Sequence, residues 1–119
     1  MTLPPFFAGE PPHGWCFYYE RAEAAADRGD WAEVLKLARE AEAHGLAAST
    51  AVELRSFLIA ALVGGDPELA ERYLAAAEAE EGVPAFFRPA LEALDADSLS
   101  PEARRIWERG IAVPDSESS

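Results

Sequence analysis

From Trp15 onward the apolar residues recur at helical spacing: Trp15, Tyr18, Tyr19, Ala22, Ala25 and Ala26 return to one side of a 3.6-residue period. This predicts an amphipathic first helix that ends at Arg28-Gly29, where glycine can take the left-handed conformation that closes a helix. Asp30 then reads as an N-cap with Glu33 at the third helical position, and Trp31, Val34, Leu35, Ala38 and Ala41 form the stripe of a second helix stopping at Gly45. So short a turn obliges the two helices to pack as an antiparallel hairpin.

The plan then repeats. Thr50 and Glu53 have the spacing of a capping box, in which each side chain would accept from the other's backbone N–H. They introduce a third helix whose apolar residues, Val52, Leu54, Phe57, Leu58, Ile59, Leu62 and Val63, surround almost its whole circumference, so it is expected to be the most buried. Gly64-Gly65 ends it. Asp66-Pro67 caps and starts a fourth helix, with Leu69, Ala70, Tyr73, Leu74 and Ala77 as its stripe up to Gly82.

The last third is less regular. Pro84 and Pro89 bracket Phe86 and Phe87, and Ala90, Leu91 and Leu94 predict a short fifth helix starting near one of the prolines. Ser100-Pro101-Glu102 reads as the cap and first turn of a sixth helix, carrying Ala103, Ile106 and Trp107 and stopping at Gly110. Residues 1–14, with four prolines and two glycines, read as an extended lead-in with Phe6 and Phe7 as apolar anchors. Residues 15–110 form one helical domain, and residues 111–119 an acidic, disordered tail. The expected fold is therefore all-α, built of stacked antiparallel helical hairpins.

Laying Gly29-Asp30 over Gly65-Asp66 gives an offset of 36 (65 − 29), which also places Ala41-Glu42-Ala43 over Ala77-Glu78-Ala79. Hairpins recurring at about this length characterise arrays in which a single unit cannot bury its own apolar face and stacks on the next. In Tyr18, Ala22, the Gly29-Asp30-Trp31 turn and Ala41, and again in Gly65-Asp66, Ala70, Leu74 and Ala77, the chain resembles tetratricopeptide-like helical repeats, while Val34 and Ala38 depart from that family's small and aromatic pair. The resemblance spans residues 15–82, with a degenerate third hairpin at 84–110. It implies an α-solenoid of two and a half to three repeats and a non-catalytic role in protein binding or scaffolding.

A narrower resemblance rests on Glu10-Pro11-Pro12-His13-Gly14-Trp15-Cys16-Phe17-Tyr18-Tyr19-Glu20, followed by Ala22 and Gly29-Asp30-Trp31. This stretch is similar to the soluble C-terminal tail of bacterial glycosyltransferase-like multi-spanning membrane proteins. It implies an alternative, accessory role beside a membrane enzyme whose catalytic part is not in this chain.

Charge narrows the choice of partner. Twenty-two acidic residues against ten Lys and Arg give −12, the wrong sign for a surface that neutralises nucleic-acid phosphates. Anionic lipid headgroups would also repel it. The acidity serves solubility or a basic protein partner. No apolar run approaches the ~18 residues of a membrane span, and the first twelve residues lack the basic and apolar regions of an export signal. A soluble chain, cytoplasmic or an appendage of a membrane protein, is the expectation.

Little in the sequence suggests catalysis. His13 and Cys16 could in principle form an activated thiol, the basis of a third reading as a small thiol-dependent enzyme, but no third orienting group accompanies them. Cys16 reads instead as a small buried apolar residue. His44, in the last turn before Gly45, complements a helix dipole. Asp95-Ala96-Asp97-Ser98 starts like a calcium loop, yet the register puts Ser100 where glycine is required and Ile106 where a bidentate glutamate is required, so it reads as a solvated turn. Glu78, Glu80 and Glu81 load negative charge onto the unfavourable end of the fourth helix. With no glycine-rich phosphate loop, nucleophile elbow or paired His and Glu at metal spacing, the sequence implies neither metal nor cofactor.

In stacked hairpins the first helix of each unit lines the concave surface. The repeat register puts Tyr19 and Glu23 there from the first unit, and Val52, Arg55, Ile59 and Leu62 from the second. That set is apolar for a surface in water. Either the third hairpin and Phe6-Phe7 fold over it, or it receives a protein or peptide partner, a second copy included.

Overall fold

A computed structural model describes residues 14–112. Within them lie six α-helices and no strand: α1 Trp15–Asp27, α2 Trp31–Ala43, α3 Arg55–Val63, α4 Pro67–Glu78, α5 Val83–Glu92 and α6 Pro101–Ile111. Two 3₁₀ turns, Ala51–Leu54 and Ala96–Ser98, precede α3 and α6. The expected lead-in, except Gly14, and nearly all of the expected tail lie outside the described residues.

Each of the first two hairpins turns on a left-handed glycine followed by an aspartate cap. Gly29 and Gly65 have φ of 74° and 78°. Asp30 accepts from the Glu33 N–H at 3.2 Å, and Asp66 from the Leu69 N–H at the same distance. These bonds occupy backbone donors that would otherwise be orphaned at the helix starts. Ser100 does the same for α6 through the Ala103 N–H.

The connection between the hairpins departs from the expected capping box. Thr50 accepts from Val52 rather than Glu53, and the Glu53 carboxylate accepts from the Ser49 N–H and from Trp15 Nε1. The cap comes from another element. Glu80, just past α4, accepts from the Ala51 N–H and the Thr50 hydroxyl, both at 3.1 Å. Two members of the acidic cluster therefore have structural partners, because Glu78 receives Arg109 from α6 at 3.0 Å. The penalty expected for charge at the end of α4 is offset across the fold.

α3 is the centre of the packing and touches α1, α2, α4, α5 and α6. Every residue from 56 to 62 is buried, which matches the all-round apolar pattern. Phe57 sits edge-on to Trp15 of α1 (5.1 Å between ring centroids) and 6.0 Å from Tyr73 of α4. Full burial of such a side chain stabilises a fold by about 1.5–3 kcal/mol relative to exposure.

The third hairpin joins by close approach and by one clamp. α5 has Pro84 in its first turn and carries Pro89 inside on its exposed side. Gly110 does not stop α6. It lies buried within the helix, where an added Cβ would meet Leu91 Cδ1 at 2.7 Å, so the missing side chain lets α6 press on α5. Trp107 Nε1 donates to the Leu91 carbonyl at 2.7 Å, and Arg109 holds Glu71 through two hydrogen bonds of 2.9 and 3.0 Å.

Candidate binding face and cavity

The residues expected on the concave surface divide into two groups. Ile59 and Leu62 are 7% and 1% exposed, so α3 uses them for the chain's own core. Tyr19, Glu23, Val52 and Arg55 reach the surface, Val52 with 40% of its area exposed. Phe86 of α5 joins them. The Arg55 guanidinium lies 5.2 Å above its ring, and the ring is 46% exposed.

The charges on this face are unevenly matched. Glu23 accepts from the Ser56 hydroxyl at 2.8 Å, and Glu53 is held by Trp15 Nε1 at 2.9 Å. Both carboxylates are thus engaged by neutral donors. Among the described residues, no acceptor bonds to Arg55, whose only specific contact is the Phe86 ring. Burial pushes the Tyr19 hydroxyl above the usual tyrosine range, Glu23 and Glu53 push the same way, and Arg55 opposes them. Tyr19, two hydrogen-bonded carboxylates and one arginine with no hydrogen-bond acceptor among the described residues therefore share one neighbourhood.

Phe86 was not foreseen as part of this face. The clue is the i, i+4, i+8 set Val83, Phe87 and Leu91, which is buried along α5 and leaves Phe86 off the stripe.

A cavity of about 240 Å³ opens where the α2–α3 connection meets α4. Trp15, Leu46, Ala48, Ala51, Leu54 and Ala76 supply its apolar lining, with Glu42 and Arg72 paired at 3.4 Å on its wall. Tyr73 also lines it and is 5% exposed, yet its hydroxyl forms no hydrogen bond to any described residue. Burial, reinforced by Glu42, pushes that hydroxyl far above the usual tyrosine range.

The remaining chemical candidates are isolated. Cys16 is exposed, contrary to the expected burial, because Tyr18, Ala22 and Ala25 define the inner side of α1 and Cys16 falls on the other. His13 lies outside the described residues. His44 is the exposed C-terminal cap of α2, with its ring 6.2 Å from that of Tyr18. Asp95 accepts from the Asp97 N–H in a 3₁₀ turn, and Asp97 lies 3.7 Å from Arg104, as suits a solvated corner. Among the described residues no three His, Cys, Asp or Glu side chains gather as metal ligands, and no helix is long and apolar enough to cross a membrane. No protein family, curated protein or solved structure matches the chain.

Proposed function

We propose that the chain is a non-catalytic protein-interaction module of tetratricopeptide-like type, working through the face shared by α1, α3 and α5. The observation that carries this reading is Arg55 resting on an exposed Phe86 while both neighbouring carboxylates are occupied. Arginine, tyrosine and tryptophan are enriched among the few residues that dominate protein interfaces. Tyr19 and Val52 extend the patch with partly exposed apolar surface. The complementary partner is an extended segment or helix that sets an apolar side chain on Phe86 and Val52 and offers a carboxylate or carbonyl to Arg55. Further support comes from the two Gly-Asp corners 36 residues apart (65 − 29), which have the same φ sign and the same caps.

Comparative affinity capture tests it, with the natural chain, Arg55→Glu, and Glu68→Arg on exposed α4 as a charge control. A partner should be retained by the natural chain and the control and lost by Arg55→Glu. With the isolated partner, calorimetry should give at least a tenfold weaker Kd for Arg55→Glu, about 1.4 kcal/mol. Equal retention by all three chains would remove the face from consideration.

A further inference from the structure

Among the described residues, the large apolar side chains left exposed are Val52, Val63 and Phe86. Val52, Arg55, Ile59 and Val63 recur at i, i+3, i+7 and i+11, a single row along α3 and the turn before it, spanning about 16 Å at the helical rise. Contacts fix the two flanks of this row. Arg55 lies over Phe86, so its flank looks to α5. Ser56 donates to Glu23, so the flank of Ser56 and Val63, at i and i+7, looks to α1.

Charge on α1 is divided along the same line. Glu20, Glu23 and Asp27 stand at i, i+3 and i+7 on the side that meets Ser56. Arg21 and Arg28 stand on the other side, where with Glu33 of α2 they line a shallow hollow. Among the described residues no cation pairs with Glu20, Glu23 or Asp27. On α5, the residues in line with Phe86 are Pro89, Ala90 and Ala93, none of them charged. An acidic wall and an apolar wall therefore flank the row on α3.

Resting on the binding-face reading above, we propose that the occupant is a basic amphipathic helix of another protein, about three turns long. Its apolar row lies on Val52, Ile59, Val63 and Phe86, and its Lys or Arg row faces Glu20, Glu23 and Asp27. A helix laid lengthwise presents apolar side chains at the same pitch as the row on α3 and over the same length. Arg55 then takes a carbonyl from the unpaired C-terminal end of that helix. A carboxylate in its place would sit beside Glu23 and Glu53 with water excluded, where repulsion is stronger than on the open face. The net charge of −12 also draws a cationic partner inward. A second copy has no such helix to offer among the described residues: α6 carries Arg104, Arg105 and Arg109, but its Ala103 and Ile106 are buried in the core.

The test titrates the full chain, by fluorescence anisotropy, into three labelled helical peptides. Each has one leucine row at the i, i+3, i+7 and i+11 spacing and a flanking row of Lys, Gln or Glu. The Lys peptide should bind about tenfold tighter than the Gln peptide, the Glu peptide weakest, and the gap should narrow as salt is added. Glu20→Gln with Asp27→Asn should weaken the Lys peptide about fivefold and leave the Gln peptide unchanged. Glu68→Gln with Glu81→Gln, on the exposed side of α4 and just beyond it, should change neither. Equal weakening by the two double variants would make the attraction a property of the whole acidic surface and overturn the proposal. Equal affinity for all three peptides, or tightest binding of the Glu peptide, would overturn it while leaving the face itself standing, provided that Arg55→Glu alters the binding. Weak binding of every peptide, with no amide shift at Ser56, Ile59 or Ala90, would overturn both the proposal and the face.

Discussion

α1 and α3 follow the same pattern in different surroundings. With the offset of 36, Tyr18, Ala22 and Ala25 correspond to Leu54, Leu58 and Ala61, and all six are buried. Between them the correspondence breaks. Arg21 aligns with Phe57, and Arg21 is exposed with its guanidinium 5.3 Å above the Phe17 ring, whereas Phe57 is 1% exposed. Glu23, on the surface, aligns with buried Ile59, and exposed Arg28 aligns with Gly64, where an added Cβ would meet Leu35 Cδ2 at 2.5 Å. The shared positions build each hairpin's own interior. The differing ones depend on what packs against each helix, since Phe57 lies between Trp15 of α1 and Tyr73 of α4, and Gly64 faces Leu35 of α2.

The strongest test of that contrast is the aligned pair Phe57 and Arg21. Phe57→Ala should destabilise the fold by about 3–5 kcal/mol, through lost burial and the cavity left between Trp15 and Tyr73. Arg21→Ala should stay within about 0.5 kcal/mol, as an exposed substitution. Urea denaturation measures both, and comparable losses would show that α1 is as enclosed as α3.

The helix ends give a smaller difference. Gly64→Ala should cost about 1–3 kcal/mol, because the new methyl must displace Leu35 and crowd the Ala60 carbonyl 2.9 Å away. Arg28→Ala, at the aligned exposed position, should be nearly neutral. A neutral Gly64→Ala would mean that α2 does not press on the end of α3.

The two caps should differ least among the paired sites. Asp30→Ala and Asp66→Ala each remove one cap, worth about 0.5–2 kcal/mol. Asp66 also holds Arg39 at 3.0 Å, but that pair is largely exposed and should add no more than about 1 kcal/mol. A larger excess for Asp66→Ala would make the Arg39 bond part of the hairpin junction rather than a solvated contact.

The features legible in the sequence are those fixed within a few residues. Asp30, Asp66 and Ser100 cap the helices that they precede, and the stripe Leu69, Ala70, Tyr73, Leu74 and Ala77 is buried as its spacing requires. Features that depend on a distant element were not legible. Glu80 caps a segment some thirty residues earlier, so the local Thr50-Glu53 pattern pointed to the wrong partner. Cys16 aligns with Val52 at the offset of 36, and both are exposed, so the repeat register held a clue that the residue type obscured. Gly110 resembles a stop signal unless it is known that α5 will need the space. On the candidate face, Tyr19, Glu23, Val52 and Arg55 follow from the register, whereas Phe86 depends on how the irregular third hairpin closes.

A small change in stability is also expected at Arg55, which aligns with Tyr19 (55 − 36) on the candidate face. Arg55→Glu removes one partly exposed cation–π contact, worth about 0.5–1 kcal/mol. The new carboxylate would lie near Glu23 and Glu53, but hydrogen bonds from Ser56, Ser49 and Trp15 hold those groups. Its repulsion would be screened by solvent on an open face. The fold should therefore lose about 1 kcal/mol or less while partner affinity falls at least tenfold. Measured beside Phe57→Ala, only two positions along the same helix, this variant separates surface from core. A loss of 3 kcal/mol or more at Arg55 would make its stacking on Phe86 part of what holds α5 to α3, and the binding-face reading would fall with it.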